Sequence, residues 1–302
     1  MIQRYISNRR VRILIGFVLA GGLLIQFHRA LLARSATEPM AAVSIPPHKP
    51  GPHQAFAAPM PDPALLEAET LEAMAARDPV AFFELTLDRY DRAVRDYTCT
   101  FSKKELVGGR MTHTQVMEAM CRQSPFSVRL KWVKNPDKCS RVLYVDDRWV
   151  KDNQQMAVVE PGAIAKLFVP YVMRPIHGKD ARKSSRRTID QFGFRNSLAL
   201  TLKYCKLAQE QNILDFAFKG RSEVDGRETL VFERHLPYTD EDCKWPDRVL
   251  VVHIDKELLL PTLCVAYADD AKEKLLGEYK MTDIKLNPNL PDSAFTKKGM
   301  GL

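Results

Sequence analysis

The spacing of apolar and polar positions changes several times along this chain, and the changes divide it. An uncharged run, apolar but for Gln26, occupies 13–27, behind a basic start that ends at Arg12. Over 35–63 no period survives. Pro39, Pro46, Pro47, Pro50, Pro52, Pro59, Pro61 and Pro63 each remove a backbone donor and fix φ, so the stretch is expected to be an extended tether. Two helices are predicted next. One covers 64–76; the second starts with Asp78 as N-cap and Pro79 as first helical residue and runs to about Asp96. In it Phe82, Phe83, Leu85, Leu87, Tyr90 and Val94 recur at three- and four-residue spacing, marking a face to lay against a sheet.

Beyond Tyr97 the period falls to 2. Tyr97, Cys99 and Phe101 alternate with Thr98, Thr100 and Ser102, Gly108-Gly109 turns the chain, and a strand is predicted over 111–122. Val128, Leu130 and Trp132 alternate with Ser127, Arg129 and Lys131, and Asn135-Pro136-Asp137 turns toward a strand over 142–145. This reads as an antiparallel meander with one side on the core and one on water. The segment 160–195 is apolar over 163–172 and basic over 174–187, ending at Phe192-Gly193-Phe194. A helix is predicted over 196–209, with Asn196 as cap and Leu198, Leu202, Cys205 and Leu207 on its apolar side. Strands are predicted after it over 213–219, 228–236, 248–255, 260–268 and 274–286. The expected class is α+β, one large curved antiparallel sheet packed by helices, in a single domain over 64–302.

Charge then places the domain. Six of the eight net positive charges are arginines within 1–34, where no acid occurs: Arg4, Arg9, Arg10, Arg12, Arg29 and Arg34. Hydrocarbon accepts the apolar run and rejects the arginines, so 1–34 is expected to be a signal peptide or membrane anchor, and the chain beyond it is expected in the cell envelope, outside the cytoplasmic membrane. The 15-residue run spans roughly 22 Å as a helix against a hydrocarbon core of about 30 Å. Ala33 and Ser35 supply a small-x-small cleavage pattern, while His28 and Arg29 interrupt the region before it, so cleavage and retention both stay open.

Six cysteines, Cys99, Cys121, Cys139, Cys205, Cys243 and Cys264, allow fifteen pairings in an exported chain. Their spacing offers no zinc site, and burial as small hydrophobes, with at most one disulfide, is the expectation.

Two resemblances rest on particular residues. The run from Arg95 to Glu105 (RDYTCTFSKKE), then Ser124-Pro125-Phe126-Ser127-Val128 and Lys131-Trp132, and the later block from Arg186 to Leu198, resemble an uncharacterised bacterial envelope family of unknown function, over roughly 78–290. A looser set is similar to lipoprotein-sorting carriers of the LolA and LolB type: Asp225-Gly226-Arg227, His253-Ile254-Asp255, Leu260-Pro261, and Tyr279 through Asp283 to the stretch Pro291-Asp292-Ser293-Ala294-Phe295. That second resemblance implies an incomplete antiparallel barrel wrapped on one side by helices, with an apolar face that holds acyl chains.

The chain carries no phosphate loop, nucleophile elbow, paired zinc histidines or calcium loop, so no catalytic residue, metal or cofactor is expected. His253 and Asp255 share a strand face and could orient each other, although a hydrogen-bonded histidine beside a turn is commoner; Glu105 with Lys103 and Lys104 reads as a solvated strand end. The expected function is non-enzymatic binding of an apolar or amphiphilic envelope ligand, a lipid or lipoprotein acyl chain. Phe101, Trp132, Phe232, Val251, Val265 and Tyr267 are the cavity candidates. Leu230 and Phe232 are expected on one sheet face with Val249, Val251, Leu263, Val265 and Tyr267, and Val231, Val252 and Ile254 on the other. The alternative is a scaffolding module whose basic loop (Arg174, Lys179, Arg182, Lys183, Arg186, Arg187) contacts an anionic partner. A hydrolase ranks third. Nucleic acid is not an expected partner, because no aromatics interleave the charges and the domain faces outward.

Overall fold

The computed structural model describes residues 68–136, 138–162 and 165–302. The expected export segment and tether lie outside them. Helix α1 (Ala68–Arg77) leads into α2 (Pro79–Ala93), whose start is set by the Asp78 carboxylate accepting from the Ala81 N–H at 2.9 Å, with Pro79 in the first turn.

The strands come in two runs. The first holds β1 (Asp96–Val107), β2 (Arg110–Met111), β3 (Gln115–Arg122), β4 (Ser127–Lys134), β5 (Cys139–Val145), β6 (Val150–Lys151), β7 (Gln154–Pro161) and β8 (Val172–Pro175). A helical turn, α3 (Lys179–Arg182), and the helix α4 (Phe194–Glu210) separate it from β9 (Asp215–Val224), β10 (Arg227–His235), β11 (Val249–Asp255), β12 (Pro261–Tyr267) and β13 (Leu275–Leu286). All thirteen strands join one antiparallel sheet that does not close, in the order β6-β7-β5-β4-β3-β1-β13-β12-β11-β10-β9, with β2 on β1 and β8 on β7. The pairing of β1 with β13 joins the two meanders, Phe101 opposite Met281 and Lys103 opposite Tyr279.

One face of this sheet carries the helices. Residues directly opposite in an antiparallel ladder share a face. Leu230 pairs with Ile254 and Phe232 with Val252, and these four pack with Phe82, Phe83, Leu198 and Leu202 in one cluster. The sequence grouping of Phe232 with Val251 and Val265 is therefore corrected: Val251 pairs with Val265 on the opposite face. Period 2 fixes alternation within a strand, but the phase between β10 and β11 is set by the connection across 236–248, which has no short turn signature. A second cluster, around Tyr97, Cys99, Phe101, Met117, Cys121, Phe192, Phe194 and Met281, occupies the sheet centre. The opposite face of β5 and β7 is covered by the last residues of the chain, where Phe295 and Met300 pack on Leu143, Val145 and Val158.

Helix α4 begins one turn earlier than its expected cap. Gly193, at φ +103°, is its N-cap, and a Cβ there would run into the Tyr97 hydroxyl, so the close approach of helix to sheet needs glycine. Asn196 lies inside the helix, buried, with its amide donating to the Asp190 and Phe192 carbonyls at 2.9 Å. The strands β6, β7 and β8 went unread in the sequence, because alternation over 150–161 is broken by Asp152-Asn153, both at positive φ, and β8 is four residues long.

Candidate functional site

Helix α4 presents two stripes. Leu198 and Leu202 lie in the cluster with α2 and the strands β10 and β11, while Ser197, Leu200, Thr201 and Tyr204 face a cavity of about 700 Å³. Spacings of three and four residues put each set on its own side of the helix, so α4 is a wall between a filled and an unfilled part of the same layer. The opposite wall is the sheet: Phe101 on β1, Met117 on β3, Leu130 and Trp132 on β4, Val142 on β5, and Ala157 and Val159 on β7. Tyr279 and Met281 on β13, Cys264 and Ala266 on β12, and Leu250 on β11 complete it. The segment over 165–192 covers the rest, with Val172, Ile176, Ile189 and Phe192 turned inward and Val169 on the rim, 42% exposed. Beside Val169, Leu167 and Phe168 are 77% and 82% exposed.

Polar groups in this wall are anchored, three of them to the carboxylate of Glu105, which is not itself among the lining residues. Glu105, fully buried, accepts from Lys103 Nζ at 2.8 Å, Tyr279 Oη at 2.8 Å, Ser185 Oγ at 2.9 Å and the Arg186 N–H at 3.2 Å. Burial raises its pKa, but the Lys103 charge and the bonds from Lys103, Tyr279 and Ser185 outweigh that and hold the carboxyl below the usual glutamate range. Burial, and then the Glu105 charge, push the Tyr279 phenol well above its ordinary value. Gly277, opposite Glu105, leaves room for this arrangement, since a Cβ there would lie 2.8 Å from the Tyr279 hydroxyl. The reading of Glu105 as a solvated strand end is thus overturned. Odd-numbered residues of β1 from Tyr97 onward face inward, and that alternation carries through to Glu105; the charge of the side chain hid it.

Arg234, 1% exposed, binds Asp247 through two contacts of 3.0 and 3.3 Å and donates to the Thr201 carbonyl at 3.2 Å. Gln115 accepts from the Trp132 indole N–H at 3.2 Å. His253 and Asp255 do not orient each other: Arg227 forks onto Asp255 at 2.5 and 3.0 Å, while the His253 ring meets Thr229 Oγ1 at 3.3 Å and burial lowers its pKa. Cys99, Cys121 and Cys205 are buried free thiols. Among the described residues no group of three or more His, Cys, Asp and Glu side chains could hold a metal ion, and no helix is long and apolar enough to cross a membrane.

The family is decided by a match over most of the folded region. A family model, the protein of unknown function DUF1571, matches residues 94–299. The chain belongs to the DUF1571 family. The resemblance to an uncharacterised family read from the sequence is matched by this membership, over a similar span. No curated protein matches this DUF1571 chain. Solved structures similar to it include a DUF1329 family protein from Desulfovibrio piger, at 13% identity, covering 74% of this chain and 99% of that one with a TM-score of 0.38. A domain from Vibrio parahaemolyticus assigned to outer membrane lipoprotein sorting is 13% identical over 78% of this chain and 100% of its own, with a TM-score of 0.35. The MucA/MucB complex from Pseudomonas aeruginosa contains a chain 15% identical over 72% of this one and 60% of its own, with a TM-score of 0.41.

In this DUF1571 chain the sequence-derived candidates divide. Phe101 and Trp132 line the cavity. Phe232 is on the same sheet face but sealed under Phe82, Phe83, Phe216 and Phe218, with ring centroids 5.0 to 5.9 Å away. Val251, Val265 and Tyr267 are not among the lining residues; their strands contribute Leu250, Cys264 and Ala266, of opposite parity. Of the basic set, Arg174, Lys183 and Arg187 line the cavity. Lys179 and Arg182 lie outside the lining, and Arg186 donates to the Pro246 carbonyl at 3.1 Å. Residues such as Met117, Tyr279 and Met281 were missed as lining. Met117 stands opposite Phe101 in the β1 to β3 pairing, while Tyr279 and Met281 are found only through the β1 to β13 pairing, which no local pattern reveals.

Proposed function

We propose that this chain binds an apolar or amphiphilic molecule of the cell envelope, a lipid or a lipoprotein acyl chain, without enzymatic turnover. One observation carries the reading: a cavity of about 700 Å³, walled largely by aliphatic and aromatic side chains, lies between α4 and the sheet. That volume falls within the roughly 300–1,000 Å³ of small-molecule sites, where apolar walls supply affinity and a few polar groups supply orientation. The polar groups in these walls support a holding role: Lys103, Arg234, Asp247 and Gln115 are each engaged by a neighbouring side chain. The arginine-rich start and apolar run of the sequence support a location outside the cytoplasmic membrane, with the N-terminal segment as export signal or anchor. The test is native mass spectrometry of the protein purified from its own envelope. A reproducible lipid adduct is expected; protein that is reproducibly ligand-free would sink the reading.

A second reading, a scaffolding module held at the envelope, draws on the basic residues Arg174, Lys179, Arg182 and Lys183 and on the exposed Leu167 and Phe168. It predicts that Arg182→Gln with Lys183→Gln releases the protein from envelope fractions while lipid adducts persist, whereas retention of both argues for the carrier.

A further inference from the structure

Among the charged residues lining the cavity there are six cations, Lys103, Lys138, Arg174, Lys183, Arg187 and Arg234, and two carboxylates, Asp180 and Asp247. Most have partners. Lys103 is taken by Glu105, Arg234 by Asp247, and Arg174 stands 3.7 Å from Asp180. Arg187 is different. It is half-buried, and its guanidinium makes no ion pair or hydrogen bond with any described residue; only its backbone N–H donates, to Ser185 Oγ at 3.4 Å. Its charge is nonetheless felt deep in the wall. Burial raises the pKa of Tyr204, Cys264 and Tyr279, which line the same cavity, and the Arg187 charge acts on all three in the opposite sense. The buried carboxylates Glu105 and Asp247 are already committed to Lys103 and Arg234.

A guanidinium without a counterion on the lining of a largely apolar cavity is free to pair with an anionic group that enters it. Guanidinium also presents parallel donors that match a carboxylate or phosphate. We infer that the cavity's ligand is an amphiphile with an oxyanion headgroup, carboxylate or phosphate, held by Arg187, its chain lying along Phe101, Met117, Leu130 and Met281. Lys183, exposed on the same lining, adds positive potential at the headgroup end. This rests on the cavity reading above and gives it a polarity.

Calorimetric titration of the full chain with palmitic acid, with the alcohol of the same chain length, and with inorganic phosphate separates the possibilities. The acid is expected to bind roughly ten- to a hundredfold more tightly than the alcohol, the worth of a charged hydrogen-bonded pair. That preference should vanish in Arg187→Gln and persist in Arg187→Lys, which keeps the charge. Equal affinity for acid and alcohol in the unaltered chain, or an undiminished preference in Arg187→Gln, overturns the inference and leaves the apolar cavity standing. Binding of neither amphiphile overturns the cavity reading itself. Phosphate bound while palmitic acid is not would mean an anion site without a chain, and overturns both.

Discussion

The face of the sheet that carries the helices is filled on one side of α4 and hollow on the other. Under α1 and α2, the strands β9, β10 and β11 present Phe216, Phe218, Leu230, Phe232, Val252 and Ile254, and Phe82 and Phe83 descend between them until no space is left. Beyond α4, the strands β1, β3, β4, β5, β7 and β13 present residues just as apolar, Phe101, Met117, Leu130, Val142, Val159 and Met281, yet what covers them is the segment over 165–192, with short helical turns rather than a long helix. The difference lies in the covering elements. A helix with phenylalanines on one face packs down to crystal-like density, while a segment spaced off by its own turns leaves room. Apolar strand residues do not by themselves distinguish a core from a binding site; what stands opposite does.

Paired substitutions sharpen or break this contrast. The largest effect is expected from Phe232→Ala, which removes a ring enclosed by four others and should cost about 3–5 kcal/mol, whereas Phe101→Ala, whose ring faces open volume on one side, should cost about 2 kcal/mol. Urea denaturation of both variants measures the gap, and equal losses would mean that the two regions are equally packed. Overpacking reverses the ranking. Ala75→Leu, at a fully buried position against the filled cluster, is expected to cost about 1–3 kcal/mol, while Ala157→Leu should be nearly neutral in stability and reduce lipid adducts by occupying the cavity. A destabilised Ala157→Leu would deny that the space is available.

Finer effects concern the polar anchors of the hollow side. The folded pKa of Glu105 is depressed, so its contribution to stability is fully present above the unfolded glutamate value of about 4.3 and is lost as pH falls through the folded value. Glu105→Gln should therefore lower stability at neutral pH and flatten its dependence below about pH 4.3; unchanged acid sensitivity would place the acid-labile contact elsewhere. Smallest of all, Cys264, whose thiol burial pushes up to about 11, should alkylate slowly at neutral pH and more slowly still when the cavity is occupied. Alkylation indifferent to bound lipid would separate Cys264 from the ligand's path.

Much of the fold was legible because the period is a local property. The alternation from Tyr97 to Phe101, the Asp78-Pro79 helix start and the strands around Asp225-Gly226 all stand where the pattern puts them. The site was legible only in part, because it depends on relations between elements. Phe101 and Trp132 were found as inward aromatics of the first meander, where turns are short and phase carries from strand to strand. Across 236–248 the phase is lost, and Val251, Val265 and Tyr267 were named where Leu250, Cys264 and Ala266 stand. Charge misled in a different way: the inward side of β1 does not end at Phe101 but continues through Lys103 to Glu105, because those two neutralise each other.

The pairing of β1 with β13 has a consequence in time. Tyr279 and Glu105, 174 residues apart, meet across it, and so do Met281 and Phe101. Each meander has its own local hairpins, but the cavity floor is a seam between the first strand made and the last. A loop of that length closes late, at an entropic cost that local contacts do not share. During synthesis the chain therefore exposes the apolar inner side of β1 until β13 arrives. The floor of the cavity is completed in a single late step rather than built up along the way.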